Sequence, residues 1–151
     1  MGERYLRSVR LLAECLQDFE RYTGEFVRAR GLTQAQFDII ATLGNTDGMS
    51  YKELGERTLI TKGTLTGVIE RLEQKGLVER SRNSGDKRSF FVRLTAAGDV
   101  LFREIFPQVV EHGRKLFANY GAADFDQLDE ALGTLRQRMQ DAATTESKET
   151  S

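Results

Sequence analysis

Residues 50–98 decide the fold of this chain, and they run SYKELGERTLITKGTLTGVIERLEQKG over 50–76, LVERSRNSGDKRSFFVRL over 77–94 and TAAG over 95–98. The first part predicts two short helices, separated by a turn, that share one small core. That core is expected to contain Leu54, Leu59, Leu65, Val68, Ile69 and Leu72. The second part predicts a β-hairpin, with strands over 77–82 and 89–94 and a charged tip. We therefore expect a mostly α protein with a small β-hairpin wing, the winged helix-turn-helix arrangement.

The second of these helices is the predicted DNA-reading surface. A short helix that crosses a second helix with a polar outer face places the second one in the major groove of double-stranded DNA. Thr61 is expected to cap this helix, Thr64 to contact a base and Arg71 to contact the phosphate backbone. Small residues at the helix start allow a close approach to DNA. The candidate residues on this helix are Thr61, Lys62, Gly63, Thr64, Thr66, Gly67 and Arg71.

The tip of the wing carries a second group of candidate DNA contacts. The predicted turn of the hairpin spans residues 83–86. The sequence GDKR over 85–88 places Lys87 and Arg88 directly after this turn, at the tip of the hairpin. Arginine suits a narrow, negatively charged minor groove. Asp86 can hold the Arg88 guanidinium in an extended pose through a bidentate pair. We therefore predict that Asp86, Lys87 and Arg88 act at the minor groove.

The distribution of charge supports this assignment although the whole chain has a net charge of −1. Residues 50–94 contain ten lysines and arginines against six acidic residues. Residues 1–49 contain six against seven, and residues 95–151 contain six against ten. The positive balance therefore lies on the segment that is predicted to read DNA, where it is needed to attract phosphates.

Helical segments with apolar stripes flank the central module. A helix is expected over 4–30, with Gly31 at its end. Thr33 is expected to cap a second helix, and Gln36 three residues later completes a capping-box pattern. Thr95 is expected to cap a long helix that runs to about residue 119 and is kinked or broken at Pro107. The last predicted helix, 124–142, has the 3-4 repeat of a coiled-coil seam at Phe125, Leu128, Leu132, Leu135 and Met139.

These stripes predict a symmetric dimer, because one copy of the central module covers little of them. We expect one domain over 1–142 and a disordered tail over 143–151. Within it, the winged-helix core spans about 33–98, the helix-turn-helix motif about 50–75 and the wing about 77–94. The dimerisation helices are expected at about 4–30, 95–119 and 124–142.

Composition excludes several other classes of protein. No apolar run approaches the roughly 20 residues of a membrane span, and no signal-peptide core is present. One histidine, one cysteine, and no glycine-rich phosphate loop or metal-ligand cluster argue against an enzyme, a cofactor or a metal site. The single cysteine also fits a reducing compartment, so we expect a cytoplasmic protein.

Two motifs in the central module are similar to those of the MarR family of bacterial transcriptional regulators. The family's helix end, Leu-Glu-x-Lys-Gly-Leu-Val, is here LEQKGLV over 72–78. Its wing signature, Asp-x-Arg followed by Leu-Thr-x-x-Gly, is here DKR over 86–88 and LTAAG over 94–98. The layout resembles the family over residues 4–142. The resemblance implies a triangular homodimer that binds a palindromic operator, usually represses nearby genes, and is released by a small, often aromatic and anionic ligand or by cysteine oxidation.

The resemblance leaves the signal that controls release open. Polar residues that could serve a ligand pocket are Arg10, Arg21, Tyr22, Arg28 and His112. The helix start GTLT over 63–66 resembles the branch of the family that senses organic hydroperoxides. The reactive cysteine of that branch aligns near Val9, and Gln34 stands where one of its tyrosines is expected. We therefore expect Cys15 to be a buried, structural residue.

Two alternatives remain open from the sequence alone. One is a redox-sensing repressor that uses Cys15. The other is a winged-helix module that binds proteins and not DNA. Such a module would expose apolar residues on the wing and on the second helix, whereas this chain has Lys62, Arg71, Lys87 and Arg88 there.

Overall fold

The computed structural model describes residues 3–83 and 86–150; residues 84 and 85 of the predicted turn and the side chains of residues 83 and 86–89 lie outside the described part. The elements are, in chain order, α1 Arg4–Arg28, α2 Gln34–Leu43, β1 Met49–Ser50, α3 Tyr51–Thr58, α4 Lys62–Gln74, β2 Val78–Asn83, β3 Asp86–Leu94, α5 Ala96–Arg114, a 3-10 turn Lys115–Phe117 and α6 Ala122–Thr150. The chain divides into two compact units, Met1–Gly113 and Arg114–Ser151.

Side-chain caps set the beginnings of two helices where the sequence predicts them. At the start of α2, Thr33 Oγ1 accepts a hydrogen bond from the Gln36 amide and Gln36 Oε1 accepts one from the Thr33 amide, both at 3.1 Å. This reciprocal pair is the predicted capping box. At the start of α5, Thr95 Oγ1 accepts from the Gly98 amide at 3.1 Å. These bonds satisfy amides that have no partner within the helix.

The three strands form one antiparallel sheet in the order β1-β3-β2. β2 and β3 form the wing, and their register pairs Val78 with Leu94 and Arg80 with Val92. β1 adds only two pairs, Met49 with Val92 and Ser50 with Phe91. The part of the wing beyond Phe91 is therefore two-stranded. β3 begins at Asp86 rather than at the predicted residue 89.

The core of the first unit lies between α1, α2, α3, α4, the wing and α5. Its fully buried side chains are Val27, Ile39, Ile40, Leu43, Leu54, Leu65, Ile69, Leu72, Val78 and Val92. The prediction that Leu59 belongs to this core is wrong. Leu59 ends α3 with a left-handed φ of 62°, and 86% of it is exposed. The half-buried Ile60 packs against the core instead.

Two glycines are required by close packing in this unit. A Cβ at Gly44 would lie 2.2 Å from the ring of Phe102, and a Cβ at Gly98 would lie 2.0 Å from the carbonyl oxygen of Leu77. Phe102 is itself buried, so its ring has little room to move. Only glycine therefore allows the end of α2 to approach α5 and the start of α5 to approach the segment that leads into β2.

α5 and α6 differ from the predicted helices. α5 continues through Pro107 and ends at Arg114 instead of about residue 119. In the second unit, the rings of Phe117, Tyr120 and Phe125 pack together with centroids 5.2–5.6 Å apart. α6 runs to Thr150, so the segment expected to be a disordered tail is helical as far as the structure describes it. None of the helices in the described part of the chain is long and apolar enough to cross a membrane.

Candidate nucleic-acid interface

The first turn of α4 leaves polar groups free for a partner outside the chain. Thr61 occupies the N-cap position, but its side chain makes no bond to the helix backbone, so the expected side-chain cap is absent. Thr61 Oγ1 instead donates to Thr64 Oγ1 at 3.1 Å. The first amides that bond within the chain here are those of Thr64 and Leu65, which donate to the Thr61 carbonyl; within the described residues, the amides of Lys62 and Gly63 have no acceptor. Free amides at a helix start attract anions such as phosphates.

Two glycines on α4 have no packing reason within the chain. A Cβ at Gly63 or at Gly67 would meet no atom of the described chain within 4 Å, and neither residue has a positive φ. Glycine inside a helix costs about 1 kcal/mol relative to alanine. The fold does not explain this cost at either position. A surface that lies very close to the helix does explain it, because glycine removes the side chain that would hold that surface away.

The predicted cations of α4 are available to an external partner. Lys62 and Arg71 are exposed, and neither forms an ion pair with any described residue. Thr66 is also exposed. Two exposed positive charges on one helix, together with the free amides of its first turn, provide the electrostatic attraction that phosphate contacts need.

A groove of about 220 Å³ runs between the start of α2 and the exposed side of α4. It brings together two predicted DNA contacts, Thr64 and Arg71, and is lined by Thr33, Gln36, Thr64, Gly67, Val68 and Arg71. Lys75 lies at the C-terminal end of α4 and ties it to the start of α2, because its Nζ donates to the Gly31 carbonyl at 2.8 Å and to Gln36 Oε1 at 3.3 Å. These bonds fix the direction in which α4 projects.

A junction around Arg80 joins the wing to the helix-turn-helix, and the sequence alone gave no sign of it. Arg80 Nε and Nη2 both donate to Glu73 Oε1 of α4, at 3.2 and 2.9 Å. Its Nη1 donates to the Tyr51 hydroxyl of α3 at 3.4 Å. Its guanidinium also lies 4.9 Å from the ring centroid of Phe90 on β3. One side chain of β2 thus contacts α3, α4 and β3.

The charge of Arg80 is fixed at this junction. The pKa of Arg80 is raised above its ordinary range. The hydrogen bond to Glu73 is the largest cause of this shift, and the bond to the Tyr51 hydroxyl is the next. The side chain is 22% exposed, so the junction is partly shielded from water. Arg80 therefore remains a cation at every pH at which the protein folds, and its positive charge is directed inward at Glu73.

The opposite face of the wing carries a simpler ion pair. Glu79 and Arg93 are register partners on β2 and β3, and Arg93 Nε donates to Glu79 Oε1. Both side chains are largely exposed. For Asp86, Lys87 and Arg88 the structure gives the backbone of β3 only, so their predicted contacts lie outside the described side chains.

Comparison with known proteins identifies the family. Residues 32–90 match the family model described as MarR family. The chain is 31% identical to the homoprotocatechuate degradative operon repressor of Escherichia coli over 122 residues, which cover 77% of this chain and 82% of that protein. The chain belongs to the MarR family. It is a DNA-binding transcriptional regulator and not an enzyme.

Solved structures of MarR-family proteins share this fold over most of the chain. A mutant MarR from Escherichia coli complexed with operator DNA superposes with a TM-score of 0.77 at 26% identity, covering 89% of this chain and 97% of that one. NadR in complex with 4-hydroxyphenylacetate gives a TM-score of 0.68 at 28% identity, covering 82% and 88%. These relatives favour neither the protein-binding module nor the redox-sensing alternative.

Two of the candidate ligand residues of this MarR-family chain lie together. The imidazole of His112 on α5 stacks on the Tyr22 ring at 4.1 Å and on the Phe26 ring at 4.2 Å, with interplanar angles of 9° and 18°. The Tyr22 hydroxyl donates to the His112 carbonyl at 3.1 Å. Arg30 adds a cation 3.4 Å from the centroid of Phe26. Both faces of the imidazole are covered, so a ligand can reach only its edge.

The other candidate ligand residues are separate from this stack. Arg10 pairs with Glu14 at 2.9 Å and Arg21 with Asp18 at 3.2 Å, and all four side chains are more than half exposed. Arg28 is exposed as well. Cys15 is a free, exposed cysteine, which corrects the expectation that it is buried.

A polar network between α1 and α2 was not predicted. Gln34 Nε2 donates to Asp38 Oδ1 at 3.0 Å, and the buried Thr23 hydroxyl lies 3.0 Å from Gln34 Oε1. Burial, together with the charge of Glu20, raises the pKa of Asp38, while the bond from Gln34 opposes the shift. The spacing of Gln34 and Asp38 on one helix face was visible in the sequence, but the contact with α1 was not.

Proposed function

We propose that this MarR-family regulator is a homodimer that binds a palindromic operator in double-stranded DNA and represses the adjacent genes until a small ligand releases it. The observation that carries the DNA contact is the start of α4. Among the described residues, the amides of the first turn and the Lys62 side chain have no partner, and two exposed glycines of the same helix have no packing role. The complex of a MarR relative with operator DNA supports the same partner. Because the proposed target is chromosomal DNA, we propose the cytoplasm as its compartment.

The division of roles follows the chemistry of each surface. Thr64 is proposed to contact a base edge in the major groove, and Lys62 and Arg71 to contact phosphates. The residues Asp86, Lys87 and Arg88 are proposed to act at the minor groove. Thr61, Gly63, Thr66 and Gly67 complete the helix surface that lies against DNA.

The proposed dimer is supported by apolar residues that the single chain leaves uncovered. On α1, the exposed large apolar side chains are Tyr5, Leu6, Val9, Leu11, Leu12, Leu16 and Phe19. On α6, Phe125, Leu128, Leu132 and Met139 are 37–51% exposed. Apolar stripes of this size need a partner, and a second copy of the chain offers the same stripes. Two-fold symmetry would then present two copies of α4 to two half-sites about one helical turn apart, or a multiple of one turn.

For the ligand, we propose a small aromatic anion. A solved relative binds 4-hydroxyphenylacetate, and a curated relative is named for control of homoprotocatechuate degradation. The polar candidates on this chain remain Arg10, Arg21, Tyr22 and His112. Of these, Tyr22 and His112 are the pair that the fold brings together.

One selection experiment tests the DNA proposal. The full chain is used to enrich duplexes from a random library, and the affinity of the enriched duplex is then measured from about 50 to 200 mM salt. We expect an inverted repeat to emerge and the logarithm of affinity to fall linearly with the logarithm of salt, by about 0.9 per phosphate contact. Failure to enrich any duplex, with the chain folded, would contradict the proposal.

A further inference from the structure

We propose that Arg80 is a positioning residue that fixes the wing against α4, so that the two DNA-contacting surfaces move as one rigid body. The inference concerns how the surfaces are held, and its DNA measurements rest on the proposed function above. Arg80 itself is not proposed to contact DNA, because its guanidinium is turned inward toward Glu73 and Tyr51.

The wing needs such support because most of its length lacks a third strand. β1 pairs only with Val92 and Phe91, so the part of the hairpin beyond Phe91, toward the tip, has two strands. An isolated two-stranded hairpin is marginally stable in water. Its direction relative to α4 must therefore be set by side chains that reach from the hairpin to the helices.

Arg80 is placed to do this on the inner face of the wing. Arg80 pairs in register with the fully buried Val92, and Arg82 pairs with Phe90, so these four side chains share one face of the hairpin. The Phe90 ring centroid lies 4.9 Å from the guanidinium of Arg80, 5.7 Å from that of Arg82 and 5.7 Å from the Tyr51 ring. The contacts of Arg80 thus connect α3 and α4 to β3 at Phe90, two residues after the position of Arg88.

The contacts of the Arg80 guanidinium fix its orientation as well as attract it to Glu73. Two nitrogens of Arg80 converge on a single oxygen of Glu73, and the third donates to Tyr51, so the guanidinium plane is held from two helices at once. Glu70 adds a weaker pair at 4.0 Å. A lysine keeps the charge but offers one nitrogen and no plane, so it cannot reproduce this set of contacts.

The matched control lies on the other face of the same hairpin. Arg93 pairs with Glu79 across the same two strands, but no contact to α3 or α4 is recorded for it among the described residues. Arg80→Met and Arg93→Met each delete one guanidinium and its ion pairing from the wing. Only the first removes the link to the helices.

The first experiment needs no DNA. Amide hydrogen exchange of residues 78–82 and 90–94 is measured in the free full chain for both variants. We expect exchange in Arg80→Met to rise about tenfold and that in Arg93→Met to change less than about twofold, because a half-buried ion pair sets the local opening equilibrium. Equal exchange in the two variants would overturn the proposal. If Arg80→Met fails to fold, Glu73→Ala removes the acceptor oxygen of the same link and takes its place.

The second experiment measures coupling on an enriched duplex. Arg88→Ala is expected to weaken binding about tenfold in the parent chain but less than about twofold in the Arg80→Met background, because a loose wing has already lost its contact. The cost of Thr64→Ala should be the same in both backgrounds.

The salt slope of operator binding should be unchanged by Arg80→Met, and Arg80→Lys should not restore the binding that Arg80→Met loses. An unchanged Arg88→Ala penalty, or a slope reduced by about one, would refute the positioning role. If no duplex binds, the proposed function fails while hydrogen exchange still decides this inference.

Discussion

Thr61 and Thr64 are joined side chain to side chain at the start of α4, where Thr61 Oγ1 donates to Thr64 Oγ1 at 3.1 Å. The bond leaves the Thr64 hydroxyl proton free to donate to an acceptor outside the chain. It also orients the Thr64 side chain, which is exposed beside the free amides of the first turn. The hydroxyl is thus presented in one direction before any partner arrives.

Thr64→Ala is expected to reduce operator affinity at one base pair in each half-site. Loss of a direct base contact costs roughly 1–3 kcal/mol. The measurement is competition among single-base operator variants, in which the preference at that position should disappear. Thr64→Ser keeps the hydroxyl and serves as the control. A loss spread evenly over all operator variants would show that Thr64 contacts the backbone instead.

Arg88→Ala is expected to weaken all operator variants by a similar factor. A minor-groove arginine responds to groove width and potential more than to base identity. The salt slope should fall by about one unit, the amount expected for one lost phosphate-region cation. Binding titrations at several salt concentrations measure both effects. Unchanged affinity in this variant would remove the wing tip from the interface.

Gly63→Ala and Gly67→Ala should each raise stability and lower DNA affinity. A Cβ at either position meets no atom of the described residues within 4 Å, so the helix gains about 1 kcal/mol, or about 2–4 °C in Tm. The added methyl group would hold the helix away from the duplex and cost about 1–3 kcal/mol of binding. Thermal unfolding and operator titration give the two numbers. A variant that is more stable and binds as well as the parent would disprove the close approach.

Leu132→Asp combined with Leu135→Asp should break the proposed dimer. In a buried seam the two carboxylates would cost several kcal/mol. Sedimentation at micromolar concentration should show a dimer for the parent chain and its loss in the variant. Thr134→Asp with Gln137→Asp adds the same charge to the same helix outside the 3-4 repeat, and should remain dimeric. A parent chain that sediments as a stable monomer would exclude this architecture.

Asp38→Asn should raise stability at neutral pH. The pKa of Asp38 is raised on folding, chiefly by burial, so its ionised form destabilises the folded state. Stability linked to this group is fully present below the unfolded pKa and is lost as pH rises through the folded pKa. The advantage of Asn should therefore be greatest near pH 7 and vanish as pH falls below the ordinary value of 3.8. Tm measured against pH tests this, and Asp47→Asn on an exposed turn is the control.

Local signals in the sequence predicted most of the helix starts. α3 begins where Ser50 caps it through a bond from the Glu53 amide at 3.2 Å, and both residues are visible in the sequence. Gly76, which follows the end of α4, has a positive φ of 74°, the conformation in which glycine ends a helix. Caps and glycine stops act within a few residues, so their effect depends little on the rest of the fold.

The failures depend on geometry that periodicity does not encode. Leu59 was assigned to the core because its spacing fits a helix, but the left-handed turn at this residue rotates its side chain into solvent. Arg80 is one of several arginines in the wing, and its contact with Tyr51 spans 29 residues of sequence. No local pattern distinguishes it from Arg82 or Arg93. Long-range contacts of this kind require the folded backbone.

Two glycines of this protein are required by packing within the chain, and two others by the proposed contact with DNA. Evolution can therefore change the second pair independently of the first. Gly44 and Gly98 are held by neighbours 2.0–2.2 Å from any added Cβ, so replacing either one damages the folded chain itself. Gly63 and Gly67 face open space, so replacing them damages only what the chain touches. A duplicated copy released from DNA binding would therefore be free to exchange the second pair for alanine, and would gain stability by doing so. The first pair would persist in that copy for as long as it folds.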